Sequence, residues 1–265
     1  MNTAIETVDL YYAYGRTPVL KNLTFSVQTG DFFIIIGPNG SGKTTLLKLL
    51  SRINRPKTGV LYIFGRLIHR YPGKALARTI AYVSQAPASD FPFTVIEVVM
   101  MGRSPHQGML AMERPSDLEI ARESLLFTGI EHLADRKMDQ LSGGERQLVF
   151  IARAICQQPK IILLDEPTAS LDPAHQVRIM DMMERLKSEK GVTVVMVSHE
   201  VNLAAMYGNR LLLLREGSIV SLGKPKDVLT FKTLEDAYGC TLLVDESPLG
   251  RFPRVTPVPQ KFLNS

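Results

Sequence analysis

The sequence predicts an α/β fold in which a parallel sheet carries helices on both faces and is interrupted by a helical insertion. Two observations carry this reading. Short runs are apolar almost throughout: Phe32-Phe33-Ile34-Ile35-Ile36, Ile161-Ile162-Leu163-Leu164, residues 192–197 broken only by Thr193, and Leu211-Leu212-Leu213-Leu214. A strand without alternation is a strand covered on both sides. Helical stretches such as 43–50 and 174–190 separate these runs, and strands alternating with helices build a parallel sheet.

Taken in order, residues 23–28 alternate Leu23, Phe25 and Val27 with Thr24, Ser26 and Gln28, the period of a strand with one wet face. The run 32–36 leads into a glycine-rich turn and then into the helix that begins at Lys43. From about 88 to 158 strong strand signals are absent, while 95–101, 117–127 and 146–157 read as helices, so the insertion is assigned there. Prolines at 248, 253, 257 and 259 predict an extended surface tail beyond Thr241. The organisation expected is one domain over 1–240 that holds the insertion, then a short extended tail over 241–265.

Composition removes other classes. With 265 residues, 45% hydrophobic and 22% charged, collagen-like, coiled-coil and wholly disordered chains are excluded. No apolar run approaches the roughly 20 residues needed to cross a bilayer. The first residues carry Glu6 and Asp9 and lack a basic segment followed by an apolar one, so no secretory leader is expected. Cys156 and Cys240 match no metal or redox spacing and are expected to be reduced, buried or half-buried thiols of a cytosolic protein. A net charge of +5 suits polyanions such as nucleotide phosphates, nucleic acid or an anionic membrane, but the excess is small and scattered and selects none of them.

Chemistry enters at Gly37-Pro38-Asn39-Gly40-Ser41-Gly42-Lys43-Thr44, which fits G-x-x-x-x-G-K-[ST] between a buried strand and a helix. The glycines let successive N–H groups turn inward as an anion nest, and the helix N-terminus adds partial positive charge. Lys43 would neutralise the β- and γ-phosphates and Thr44 would ligate Mg²⁺. The buried run 161–164 ends in Asp165-Glu166, at the edge of a parallel sheet where ligands sit. Asp165 would hold the Mg²⁺ shell, and Glu166 would polarise water as a base. The run 192–197 ends in Ser198-His199, which assigns His199 to the γ-phosphate. These residues alone describe a Mg-nucleotide hydrolase or kinase. Leu141-Ser142-Gly143-Gly144-Glu145-Arg146-Gln147 precedes a helix with apolar Leu148, Ile151, Ala152 and Ile155, and a Ser-Gly-Gly helix start is a second anion-binding device. One nucleotide hardly needs two from the same chain, whereas a head-to-tail dimer would place this one over the nucleotide held by the partner's Lys43.

Together these residues resemble the ATP-binding cassette (ABC) ATPase family over nearly the whole chain. The phosphate loop, Gln85, the 141–147 signature, Asp165-Glu166, Ser170-Leu171-Asp172 and His199 stand in the family's order and spacing. The resemblance implies a P-loop NTPase (RecA-like) core with an antiparallel β subdomain and the inserted helical subdomain, and ATP and Mg²⁺ as cofactors. It implies nucleotide binding by Gly37, Pro38, Asn39, Gly40, Ser41, Gly42, Lys43, Thr44 and Thr45. Tyr14 becomes the aromatic on adenine, because Tyr14-Gly15 precedes Val19-Leu20-Lys21-Asn22-Leu23, with Tyr11 and Tyr12 competing for the role. Gln85 would reach the metal and the attacking water. Ser142, Gly143 and Gly144 would act in trans, and Asp172 would sit at the dimer seam.

The resemblance also narrows the subclass. The chain holds one cassette and no membrane span, so the pore would be a separate protein, and it ends too soon after His199 for an added regulatory β-domain. Residues 94–105 and the end from Leu234-Glu235-Asp236-Ala237-Tyr238-Gly239 onward look like the branch that imports iron–siderophores, haem, cobalamin and some oxyanions. Met100, Met101, Met109 and Met112 would either form the groove that receives the membrane subunit or fill the helical core. The implied partners are a second copy of the chain, integral membrane permease subunits and, indirectly, a substrate-binding protein, with no nucleic acid. The implied location is peripheral, on the cytoplasmic face of the inner membrane. An exporter ATPase would fit every catalytic motif. A soluble ABC protein of translation or DNA repair would carry two cassettes or a long coiled coil, and a small-molecule kinase would lack the Ser-Gly-Gly signature.

Overall fold

The computed structural model describes residues 2–85, 92–108, 114–250 and 252–262. Along the chain come β1 (Thr3–Tyr14), β2 (Thr17–Gln28), β3 (Phe32–Ile36), α1 (Lys43–Leu50), β4 (Thr58–Ile63), β5 (Arg66–Leu67), α2 (Gly73–Thr79) and β6 (Ile80–Val83). Then follow α3 (Val95–Met100), α4 (Pro115–Thr128), α5 (Gly143–Cys156), β7 (Ile161–Asp165), α6 (Pro173–Lys190), β8 (Thr193–Val197) and α7 (Val201–Tyr207). The chain closes with β9 (Arg210–Arg215), β10 (Ser218–Gly223), α8 (Pro225–Val228), α9 (Phe231–Tyr238), β11 (Leu242–Glu246) and β12 (Pro253–Pro257). It divides into two compact units, residues 1–69 with 193–265, and residues 70–192. Among the described residues no helix is long and apolar enough to cross a membrane.

In the first unit β3 lies between β8 and β9 and is parallel to both, with Phe32 opposite Val194 and Ile36 opposite Leu213. β10 joins β9 antiparallel. Every residue of β3 and β8 is buried, which is why these segments show no alternation. A second, antiparallel sheet runs β2-β1-β4-β5. Its β1 shows no clean period of two because register shifts break its pairing with β2 and Asp9 has φ +48°. Gly59 is required beside that irregularity, since a Cβ there would stand 2.3 Å from the Asp9 carbonyl oxygen. The rings of Phe25 and Phe33 stack at 5.8 Å and join the two sheets.

Beyond Thr241 the chain forms an antiparallel hairpin, with Leu242 opposite Pro257 and Glu246 opposite Pro253, a pairing that the proline pattern does not reveal. Asn202 of α7 docks it: its amide donates to the Val255 carbonyl at 3.1 Å and accepts from the Val255 N–H at 2.8 Å. The cysteine expectation needs one correction. Cys156 is buried, with its thiol pushed up to about 11 by burial, but Cys240 is exposed. It directly follows Gly239, the left-handed C-cap of α9, and so lies in the connection to β11 instead of against a core.

In the second unit β6 and β7 pair in parallel, from Ile80 opposite Ile161 to Val83 opposite Leu164. Helices α3, α4 and α5 pack on one another in this unit. A capping box at Thr94 and Glu97 starts α3, and a left-handed Gly129 ends α4. Residue 88, taken as the start of the insertion, and Met109 and Met112 lie outside the described residues. The segment Met101-Gly102-Arg103-Ser104-Pro105-His106 ties the helices together. Arg103 is 6% exposed; its Nε donates to Asp117 Oδ1 at 2.8 Å, and its Nη1 donates to the Cys156 carbonyl at 2.9 Å and to Gln158 Oε1 at 3.0 Å. Gly102 allows this approach, because a Cβ there would stand 2.3 Å from the Arg153 carbonyl oxygen.

Removing one partner of a buried ion pair strands the other, so Arg103→Ala should cost about 3–5 kcal/mol of stability, read as a lowered urea midpoint. The same pair makes stability depend on acid. The Arg103 hydrogen bond holds the Asp117 carboxyl below its ordinary value of 3.8. The unfolded chain therefore takes the proton first. The stability this group contributes is complete above that ordinary value and is lost as pH falls through the lowered folded one. Asp117→Asn should flatten the decline of the melting temperature below about pH 4.

Candidate nucleotide-binding site

Two sets of strand ends, one in each unit, present the phosphate loop, Gln85, Asp165, Glu166 and His199. In the first unit the adjacent parallel strands β3 and β8 release the loop at 37–44 and the segment Ser198-His199 from the same edge. The Ser198 N–H donates to the Ile35 carbonyl at 3.1 Å, its Oγ accepts from the Glu200 N–H at 3.0 Å, and His199 is exposed. Gly37 and Gly42 take φ +144° and +102°. A Cβ on Gly37 would stand 2.1 Å from the Leu214 carbonyl oxygen, and one on Gly42 would stand 2.6 Å from Leu20 Cδ2, so both positions exclude a side chain on space as well as conformation. Gly42 is also the N-cap of α1 and supplies no capping side chain. The Lys43 ammonium, 5% exposed, donates to the Gly37 and Pro38 carbonyls at 2.9 and 3.0 Å, which holds it at the mouth of the loop.

The nucleotide fits this loop on an independent observation. Ser41 is 2% exposed, and its Oγ has no hydrogen-bond partner within the chain, although a buried hydroxyl normally has one. Of the three competing tyrosines, Tyr14 is the one presented to solvent, at 49% exposure. Tyr12 meets it edge-on with ring centres 5.0 Å apart, and Asn54 Nδ2 donates to its hydroxyl at 3.2 Å.

In the second unit the parallel pair β6–β7 brings three predicted residues to one edge. Gln85 follows β6, and its Nε2 donates to Glu166 Oε2 at 2.5 Å. Asp165, 2% exposed, accepts from the Tyr82 hydroxyl at 3.0 Å. Burial first, then the Asp165 charge, raises the Tyr82 phenol above its ordinary pKa, so it remains a donor. Glu166 takes φ +51°. The metal donors the sequence proposed are a Thr44 hydroxyl, a Gln85 amide oxygen and an Asp165 carboxylate. These are hard oxygens of the kind Mg²⁺ accepts beside substrate phosphates, and the donor set fits that ion.

The signature starts α5. Ser142 is its N-cap: its Oγ accepts from the Glu145 N–H at 3.3 Å, and the Glu145 carboxylate accepts from the Ser142 N–H and hydroxyl, each at 2.8 Å. Those bonds hold the Glu145 carboxyl below its ordinary range. Asp172 is the N-cap of α6, accepting from the His175 N–H at 3.1 Å and meeting His175 Nδ1 at 2.6 Å. His175 in turn faces Gly144, where a Cβ would come within 3.3 Å of its ring. Gln85, Gly143, Glu166 and Ser170 all line one pocket of about 260 Å³ in this unit. Sequence reasoning missed Tyr82, His175 and Asn54. Only His175 left a signal there, the three-residue spacing from an N-cap aspartate.

A glycine cradle with a lysine at its mouth, two acids ending a buried strand and a capped Ser-Gly-Gly helix start define an ATP-hydrolysing cassette. The chain matches the family described as ABC transporter over residues 20–169 and belongs to it. It is 41% identical to the ferric enterobactin transport ATP-binding protein FepC of Escherichia coli (strain K12), over 94% of this chain and 92% of that one. Among solved structures it resembles a chain of a transporter described as of metal-chelate type, in an inward-facing conformation, with a TM-score of 0.87, 32% identity and coverage of 99% and 100%. It also resembles the dimeric cassette MJ0796 bound to ADP and Pi, with a TM-score of 0.72, 32% identity and coverage of 83% and 98%.

Proposed function

We propose that this chain is the ATPase subunit of an importer for an iron–siderophore, haem, cobalamin or related chelate or oxyanion. In this reading it works as a head-to-tail dimer beneath separate membrane permease subunits on the cytoplasmic face, served indirectly by a substrate-binding protein. The observation that carries the ATPase part is the cradle at 37–44, with no room for a Cβ at Gly37 or Gly42 and an unpartnered Ser41 hydroxyl inside it. Similarity to FepC over nearly the whole chain supports the cargo class. The permease partner is supported by a groove of about 630 Å³ in the helical unit, lined by Phe93, Ile96, Met100, Met101 and Leu118 among others, with Met101 40% exposed. Methionine packs adaptably against a partner helix.

The roles follow. Tyr14 stacks on adenine. The loop N–H groups, Lys43 and Thr45 hold the phosphates. Thr44, Gln85 and Asp165 are the residues that would hold Mg²⁺, which would supply neutralisation of phosphate charge. Glu166 orients the attacking water, and Gln85 and His199 are the other residues assigned to the catalytic step. The hydrogen bond from Gln85 orients the Glu166 carboxylate, whose remaining lone pairs can accept from water. Ser142, Gly143 and Gly144 serve the nucleotide of the second copy, and Asp172 stands at the seam.

Glu166→Gln keeps the side-chain size and removes the base, so hydrolysis should fall about 10²-fold or more while ATP binding survives. The variant should move from monomer to dimer in size-exclusion chromatography with ATP and Mg²⁺, because a ligand that binds only the dimer stabilises it. Hydrolysis at the wild-type rate would exclude Glu166 as the base. Ser142→Arg should abolish hydrolysis yet leave nucleotide affinity of the monomer near the wild-type value, its lost N-cap costing about 1 kcal/mol. Loss of monomer affinity would place the signature on the chain's own nucleotide and exclude the trans role.

A further inference from the structure

We propose that Tyr82 is a positioning residue for Asp165, its phenol holding the carboxylate in the orientation in which it ligates the metal; this rests on the assignment of Asp165 to Mg²⁺ proposed above. The argument starts from register. Tyr82 stands opposite Leu163 in the parallel pair, and Leu163 lies two residues before Asp165. Residues two apart on a strand share a face, so the Tyr82 ring lies on the face that carries Asp165, and its O–H donates to Oδ2 at 3.0 Å. Asp165 is 2% exposed, so little water reaches it, and the terminal torsion of an aspartate is broad and does not by itself set where the oxygens point. A neutral phenol can hold one oxygen and offset desolvation without bringing a second cation to the site. Gln85, just beyond the same strand, holds Glu166, so a single segment braces both acids that end β7. In this assignment Tyr82 touches neither nucleotide nor water and acts only through Asp165.

The test uses the purified full chain, Mn²⁺ as a paramagnetic probe of the metal position and a non-hydrolysable ATP analogue. Tyr82→Phe keeps the ring and removes only the hydroxyl. Mn²⁺ affinity in the ternary complex should weaken about tenfold, the usual effect of losing an outer partner of a metal ligand, with the melting temperature and metal-free nucleotide affinity unchanged. Asp165→Asn is the reference and should weaken Mn²⁺ binding at least as much. If Asp165→Asn weakens Mn²⁺ binding and Tyr82→Phe does not, the positioning role is overturned while the metal assignment stands. If Asp165→Asn has no effect, the metal assignment fails and the positioning role fails with it. A Tyr82→Phe protein that loses metal-free nucleotide affinity to the same extent, or that unfolds, would make the phenol a support of the strand pair and overturn the proposal.

Discussion

Strands β3, β7 and β8 are buried at every residue, so each backbone group must pair with a neighbouring strand and a polar side chain is tolerated only at the edge of the run. That constraint sets where chemistry can be placed. β3 ends at the phosphate loop, β8 at Ser198-His199, β7 at Asp165-Glu166, and β6 two residues before Gln85. Within each unit the parallel pairing aligns these ends on one side, and residues far apart in the chain converge without any loop having to carry them there.

Leaving a buried strand at its functional end forces unusual backbone. Gly37 at φ +144° and Gly42 at +102° meet this with glycine, at positions where neighbouring atoms would also reject a Cβ. Glu166 and Ser170 take φ +51° and +61° without being glycine. A non-glycine residue there costs on the order of 1–3 kcal/mol, and surrounding contacts must hold it in place. At Glu166 those contacts are visible: its carbonyl accepts from the Ala169 N–H at 3.1 Å, and its carboxylate accepts from Gln85. The geometry that strains the backbone also orients the carboxylate.

The helical unit solves a different problem. Its helices meet around Arg103, a buried guanidinium that Asp117, the Cys156 carbonyl and Gln158 satisfy together. Gly102 and Arg103, which lie in the 94–105 stretch that suggested a particular branch, are architectural. They fix the spacing of α3, α4 and α5, and with it the groove at Phe93, Ile96 and Met101. A stretch that suggests a branch can therefore report how helices pack without reporting the cargo.

Local patterns determined much of this protein. The apolar runs, the strand–glycine–helix sequence of the phosphate loop, the acids at the end of β7 and the Ser-Gly-Gly helix start are each encoded within a few neighbouring residues, because burial period, positive φ and helix capping act over that range. Contacts between distant residues required the tertiary structure. Tyr82 reaches Asp165 across 83 positions and Asn54 reaches Tyr14 across 40. The bulged β1, the docking of β11 and β12 on Asn202 and the exposure of Cys240 belong to the same group. A side-chain hydrogen bond exists only when two groups come within about 3 Å. Strand register and helix packing decide that distance, and neither leaves a periodic trace in the sequence.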